Sequence, residues 1–280
     1  MSHLTKYSTF IKLEHTLFSL PLIFAGAIIA QNQVPSLRVI ALILVAASSA
    51  RVVAMTLNRI IDREIDKRNP RTQGRHLPAG TMKLYEAWLI VFLCLGIYLL
   101  AAWLLNDVCL RLAWVPLVGF AAYPFFKRFT KWTHVGLGLV WSFVPVAGFL
   151  AVRPTWEGIG PALALGVFSI FWLAGFDIIY ATMDEDFDRE AGVKSLPAAW
   201  GGKRALRFSA VLHLLAFIAL VVLYAVWFSG PITVMLLALA GALLFMEQWF
   251  SAYVDMAFFQ MNAAIGFVIF FFVLAGLKGV

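Results

Sequence analysis

Apolar segments long enough to cross a lipid bilayer recur from one end of this sequence to the other, and that recurrence decides what the chain can become. The hydrocarbon core of a bilayer is about 30 Å thick, which an α-helix crosses in about 20 predominantly apolar residues. The stretch "LRVIALILVAASSARVVAMTL", residues 37 to 57, is typical. Composition agrees: 62% of the 280 residues are hydrophobic and 13% are charged, whereas a soluble domain is roughly half apolar and a quarter charged. The chain is therefore expected to be an all-α, polytopic membrane protein, with residues 1 to 280 forming one membrane domain and no separable soluble part.

Apolar runs between polar breaks predict nine transmembrane helices, at approximately 15 to 31, 37 to 62, 84 to 105, 108 to 125, 134 to 152, 159 to 184, 204 to 228, 231 to 250 and 257 to 277. The opening "MSHLTKYSTFIKLEH" lacks the short apolar core and small-residue cleavage site of a removable signal, so the first span is expected to be retained. Charge sorts the loops. Arg63, Lys67, Arg68, Arg71, Arg75 and Lys83 follow the second helix; Lys127, Arg128 and Lys131 follow the fourth; Arg189, Lys194, Lys203, Arg204 and Arg207 follow the sixth. The opposite loops carry only Arg38, Arg111 and Arg153, with Lys278 at the end. The positive-inside rule then places the N-terminus and the basic loops in the cytoplasm, with the protein in the inner (plasma) membrane. The formal net charge of +7 belongs to these loops, so lipid headgroups or an anionic substrate are the expected partners, and nucleic acid is not. Cys94 and Cys109 lack metal-ligand spacing and read as small buried hydrophobes.

The second and sixth helices both run toward the cytoplasm and both end in acids. Asn58, Asp62 and Asp66 are spaced i, i+4, i+8 and share one stripe, with Arg51 on the same stripe seven residues before Asn58. Asp177, Asp184 and Asp188 are spaced i, i+7, i+11, with Tyr180 a turn from Asp177, while Asp186 falls on the opposite side. Acids at helix ends are commonly solvated. Two clusters on one membrane face argue for more, because an ionisable group within a span is expensive unless it faces a polar cavity, as Asp177 and Arg51 must. Carboxylates at the C-terminal end of a helix also oppose its dipole, a cost that a bound cation offsets. An all-oxygen donor set, without His or Cys close by in sequence, favours a hard ion. Magnesium fits best, since it completes its shell with water and substrate phosphate. Arg71, Arg75 and Lys194 lie just beyond the acids, and Lys127 lies on the third basic loop; together they suit a diphosphate.

These residues resemble the motifs of the UbiA superfamily of intramembrane prenyltransferases. "NRIIDREID" is similar to its NxxxDxxxD motif at Asn58, Asp62 and Asp66, and "DIIYATMDEDFD" to its second motif at Asp177, Tyr180, Asp184 and Asp188. "RTQGRHLPAG" and "GVKS" resemble the continuations of the two motifs, and Arg51 stands where many members carry arginine. The resemblance implies nine helices around a central cavity, with magnesium and a polyprenyl diphosphate at its cytoplasmic mouth. Ionisation of the diphosphate would yield an allylic carbocation that an electron-rich aromatic ring attacks, in isoprenoid quinone biosynthesis.

The N-terminal "FIKLEHTLFSLP" departs from the pattern of 4-hydroxybenzoate prenyltransferases and looks closer to the branch that prenylates 1,4-dihydroxy-6-naphthoate on the futalosine route to menaquinone. Both acceptors carry a carboxylate, and the benzoate remains the alternative. Arg51 is the candidate acceptor contact; Lys12 and His15 are further candidates, although a His at a helix start is usually a cap or an interfacial residue. A cation-coupled transporter is the rival from another class. Its pathway would need polar groups through the depth of the membrane, whereas the charges here gather on one side, and Glu14, Asp107, Glu157, Glu247 and Asp255 read as interface residues near helix ends.

Overall fold

The computed structural model describes residues 19–254 and 260–279, and among them all regular structure is helical. In chain order the helices are α1 (Ser19–Gln31), α2 (Leu37–Arg68), α3 (Leu84–Leu105), α4 (Asp107–Leu112), α5 (Trp114–Phe129), α6 (Thr133–Trp141), α7 (Phe143–Val152), α8 (Gly160–Ala181), α9 (Glu185–Ala191), α10 (Leu196–Trp200), α11 (Gly202–Trp227), α12 (Pro231–Trp249) and α13 (Asn262–Lys278), with a 3₁₀ turn at Thr182–Asp184. Seven stretches are long and apolar enough to cross a membrane: α2, α3, α4 with α5, α6 with α7, α8 with α9, α11 and α12. α1 and α13 are shorter apolar helices of 13 and 17 residues. The all-helical membrane class stands, with seven described stretches of crossing length where nine are expected.

Prolines set two breaks inside spans. The fourth predicted helix is interrupted at Ala113 and the fifth at Ser142. Pro116 and Pro145 lack the N–H groups that would have bonded the carbonyls of Leu112 and Trp141, so the helix yields one turn before each. In the other direction, α2 runs six residues past its expected end at 62 and stops at Arg68, where Asn69 takes an extended conformation ahead of Pro70. At 32 residues it is about 48 Å long, so its last turns project beyond the hydrocarbon core.

α1 and α7 meet backbone to backbone. A Cβ on Gly26 would lie 1.9 Å from the Pro145 carbonyl oxygen, and one on Gly148 would lie 1.9 Å from that of Ile23. Small residues at such crossings replace the hydrophobic drive that lipid cannot provide. The largest buried cluster, including Leu165, Phe168, Trp172, Leu220, Ile269 and Phe272, fills the space between α8, α11 and α13. Leu89, Phe92 and Leu93 of α3 are exposed, as a lipid-facing surface requires.

Candidate active site

A cavity of about 890 Å³ runs between α2, α5, α6, α7 and α8, from Arg71 and Asp184 at one end to Leu105, Cys109 and Trp156 toward the other. Its charged residues gather at the first end. α2 presents Arg51, Asn58, Asp62 and Asp66 to it, and α8 presents Leu173, Phe176, Asp177 and Tyr180. The helical spacing seen in the sequence therefore corresponds to one wall on each side.

The acids are held by cations from other elements. Asp62 is 1% exposed, and its Oδ2 accepts from Lys127 Nζ at 2.5 Å and from Asn58 Nδ2 at 3.1 Å. Lys127 reaches it from the last turn of α5. Asp66 accepts from Arg75 Nη1 through both oxygens, at 2.9 and 2.8 Å. The loop after α2 folds back to allow this: Asn69 Oδ1 accepts from the Arg71 backbone N–H at 2.9 Å, and Thr72 Oγ1 donates to the Asp66 carbonyl at 3.2 Å. Turn chemistry of this kind is what a short polar side chain next to a proline provides.

The same loop joins the two motifs. Arg71 Nε donates to Asp184 Oδ1 at 2.9 Å, its Nη2 pairs with Asp184 Oδ2, and its Nη1 donates to Tyr180 Oη at 2.8 Å. Asn69 Nδ2 adds a bond to Asp184 Oδ1 at 2.8 Å. Burial works against the Arg71 charge, but these bonds outweigh it and hold the guanidinium pKa above its ordinary value. The 3₁₀ turn at Thr182–Asp184 tightens the chain between Tyr180 and Asp188, and all of Asp177, Tyr180, Asp184 and Asp188 still line the cavity. Asp186 points away, with its side chain 93% exposed.

Of the described candidates, Lys194 alone is off the cavity wall. Its N–H donates to the Lys127 carbonyl at 2.7 Å, and its Nζ approaches the Phe129 carbonyl at 3.4 Å over a separate shallow pocket. His15 and Lys12 lie outside the described residues, as do Glu14 and Asp255. Glu247 is a correction: expected at the interface, it is 0% exposed, with Asn262 Nδ2 donating to its Oε1 at 2.9 Å. Sequence reasoning also missed His134, a 3% exposed side chain whose Nδ1 lies 2.7 Å from Asp177 Oδ2. The Leu196 N–H reaches its Nε2 at 3.5 Å, so Nδ1 is the nitrogen left to donate to Asp177. Neither His134 nor Asn69 belongs to a recurring spacing; only Asn69, between a helix end and a proline, carried a local signal.

Among the described residues no three His, Cys, Asp or Glu side chains are grouped closely enough to hold a metal by themselves. Asp62 Oδ1 nevertheless lies buried without a hydrogen-bond partner, a costly state for a carboxylate oxygen.

The chain and its fold have known relatives. A solved UbiA homolog from Aeropyrum pernix K1, in an apo structure, matches with a TM-score of 0.83 and 33% identity over 92% of this chain and 96% of the other. A UbiA homolog from Archaeoglobus fulgidus, bound to DMAPP and Mg2+, shares the fold with a TM-score of 0.72, at 20% identity over 95% of this chain and 99% of that one. Among curated proteins, a 4-hydroxybenzoate octaprenyltransferase of Shewanella woodyi is 30% identical over 62% of this chain and 60% of its own length. One of Shewanella oneidensis is 29% identical over 70% of this chain and 68% of its own. The chain thus spans about 60% of the length of the first of these relatives. The UbiA prenyltransferase family model matches residues 19–275, and this chain, a multi-pass membrane protein, belongs to that family.

Proposed function

We propose that this protein transfers a polyprenyl group from a polyprenyl diphosphate to a carboxylated aromatic acceptor, with magnesium, at a cytoplasmic mouth in the inner membrane. The observation that carries the reading is the row of acid–cation pairs Asp62–Lys127, Asp66–Arg75 and Asp184–Arg71 at the charged end of an otherwise apolar cavity. Each pair holds what a diphosphate and a divalent cation would divide between them: the cations suit phosphate oxygens and the carboxylates suit the metal.

Magnesium needs only one or two carboxylates once substrate phosphate is present. Asp62 Oδ1 supplies an unpartnered oxygen, and Asp66, Asp177, Asp184 and Asp188 line the same cavity, so the donor set fits the ion. When bound, magnesium supplies Lewis-acid stabilisation of the leaving diphosphate. Lys127, Arg71 and Arg75 bind and neutralise that group, with Asn58 beside Asp62. Arg51, deeper on the α2 wall, receives the acceptor carboxylate, and Tyr180 helps to orient Arg71. The apolar walls keep water from an allylic cation. Lys194 and His15 stay as proposed contacts to diphosphate and acceptor, without support from the described geometry.

The N-terminal stretch favours 1,4-dihydroxy-6-naphthoate as acceptor. The names of the Shewanella relatives favour 4-hydroxybenzoate as the second reading. A transfer assay with purified protein, one polyprenyl diphosphate, magnesium and both acceptors in competition decides. A prenylated naphthoate supports the first reading and a prenylated benzoate the second; no pyrophosphate release with either rejects the proposal.

A further inference from the structure

Behind α8, a second buried polar network joins α11 and α12 to it. Gln248 of α12 lies with Nε2 at 2.8 Å from both Ser209 Oγ and His213 Nδ1 of α11. Ser209 Oγ donates to the Gly175 carbonyl at 2.7 Å, and His213 Nε2 lies 3.3 Å from the Trp172 carbonyl. Ser209 is 0% and His213 3% exposed.

The donors can be assigned by exclusion. A backbone carbonyl only accepts, so Ser209 spends its hydrogen on Gly175 and His213 Nε2 carries a hydrogen toward Trp172. Ser209 Oγ is then an acceptor, and so, in a neutral imidazole, is His213 Nδ1, which also stands 3.8 Å from Glu247 Oε2; the Gln248 amide has two hydrogens to give them. One side chain on α12 thus fixes two donors directed at α8. The imidazole approaches this closely only because residue 175 is glycine, where a Cβ would lie 2.2 Å from His213 Cδ2.

Residue 175 lies on the side of α8 opposite Leu173, Phe176, Asp177 and Tyr180, which line the cavity, and Trp172 lies on the flank between the two faces. On that front face Asp177 is bonded to His134 and Tyr180 to Arg71. Dispersion against lipid-like side chains would hold α8 at a distance but not at an angle. Directional bonds at two carbonyls one turn apart fix both its rotation and its height.

We infer that Gln248 is a positioning residue: through Ser209 and His213 it sets the rotation of α8 and with it the placement of Asp177 and Tyr180 at the substrate. The inference rests on the proposed prenyl transfer, in which those two side chains serve the site. Gln248 itself is remote from the cavity.

The test compares wild type with Gln248→Met, which keeps the shape and loses both donors, and Gln248→Glu, which keeps the shape and turns donor into acceptor. Two readouts are taken: steady-state transfer, and ¹⁵N NMR of histidine-labelled protein, which reports the His213 tautomer without needing turnover. Both variants are expected to keep the KM for prenyl diphosphate within about twofold while kcat falls about tenfold, a loss of about 1.4 kcal/mol. The neutral, Nε2-protonated His213 signal of wild type should change in Gln248→Glu. Ser209→Ala, which removes one limb, should give a smaller fall of the same kind and serves if either Gln248 variant fails to fold. Unchanged kcat in the folded variants would overturn the inference, as would a His213 signal indifferent to Gln248→Glu. A wild-type protein that transfers nothing would instead reject the prenyl-transfer reading, and the NMR arm would still decide whether Gln248 sets the tautomer.

Discussion

Lys127 and Asp62 meet at 2.5 Å across the mouth of the cavity, one from the end of α5 and the other from the buried side of α2. Removing the lysine leaves a carboxylate that is 1% exposed without its cation, and an unpaired buried charge costs more than the pair contributed. Lys127→Met should therefore be less stable than the double variant Lys127→Met, Asp62→Asn, while both lose about 10²-fold or more in turnover with the cation gone. Thermal melts in detergent and a transfer assay check the two halves. A double variant no more stable than the single one would remove the pair from the account.

Arg71 is a fork rather than a point charge. It spans Asp184 and Tyr180 with three nitrogens, a geometry that an ammonium cannot reproduce. Arg71→Lys is expected to raise the KM for prenyl diphosphate by about tenfold or more, equivalent to losing one charge-assisted hydrogen bond of about 1.5 kcal/mol. Wild-type KM in this variant would mean that Arg71 links the two motifs and does nothing else.

His134 holds Asp177 Oδ2 at 2.7 Å. Partners of this kind around proposed metal ligands are worth about 10- to 100-fold in activity, and His134→Ala should lose that much. Asn at this position places an amide nitrogen near the Nδ1 locus, so His134→Asn should recover part of it. Equal activity of Ala and Asn variants would leave only a packing role.

Much of this arrangement was legible in the sequence because its period is short. Apolar runs marked the spans, and the spacings Asn58, Asp62, Asp66 and Asp177, Asp184, Asp188, with Tyr180 a turn from Asp177, put each cluster on one stripe before any fold was known. What escaped was tertiary. His134 and Asp177 are 43 residues apart, and nothing local in either names the other. Glu247 looked interfacial because it stands near a helix end, and it is buried because Asn262 of α13 folds over it. Lys194 follows the second motif as a diphosphate ligand might, yet its backbone is tied to the Lys127 carbonyl and its side chain leaves over the outer pocket. The proline breaks at Ala113 and Ser142 were readable in principle, since Pro116 and Pro145 each withdraw one known hydrogen bond.

Metal removal should separate activity from fold. Asp62, Asp66 and Asp184 are already neutralised by Lys127, Arg75 and Arg71, so the substrate-free protein has little need of a divalent ion. EDTA is expected to abolish transfer reversibly and leave the melting temperature unchanged. Magnesium together with prenyl diphosphate should raise it, because a ligand that binds only the folded state stabilises that state. A melt that drops on EDTA treatment alone would show that the ion is structural and that the acid–cation pairs do not suffice.

The backbone crossing of α1 and α7 makes the sharpest stability prediction. A methyl at Gly26 or Gly148 would stand 1.9 Å from a carbonyl oxygen of the facing helix, and no rotamer relieves a clash with backbone. Gly26→Ala and Gly148→Ala must push the helices apart, and each is expected to destabilise by at least the 1–3 kcal/mol typical of overpacking, roughly, with loss of folded protein in detergent. Gly96 in α3 is the control, since nothing lies within 4 Å of its added Cβ. There the same substitution should be neutral or stabilising by up to about 1 kcal/mol, the ordinary difference between Ala and Gly in a helix. If all three alanine variants melt alike, the close approach of α1 and α7 is not what holds that side of the cavity.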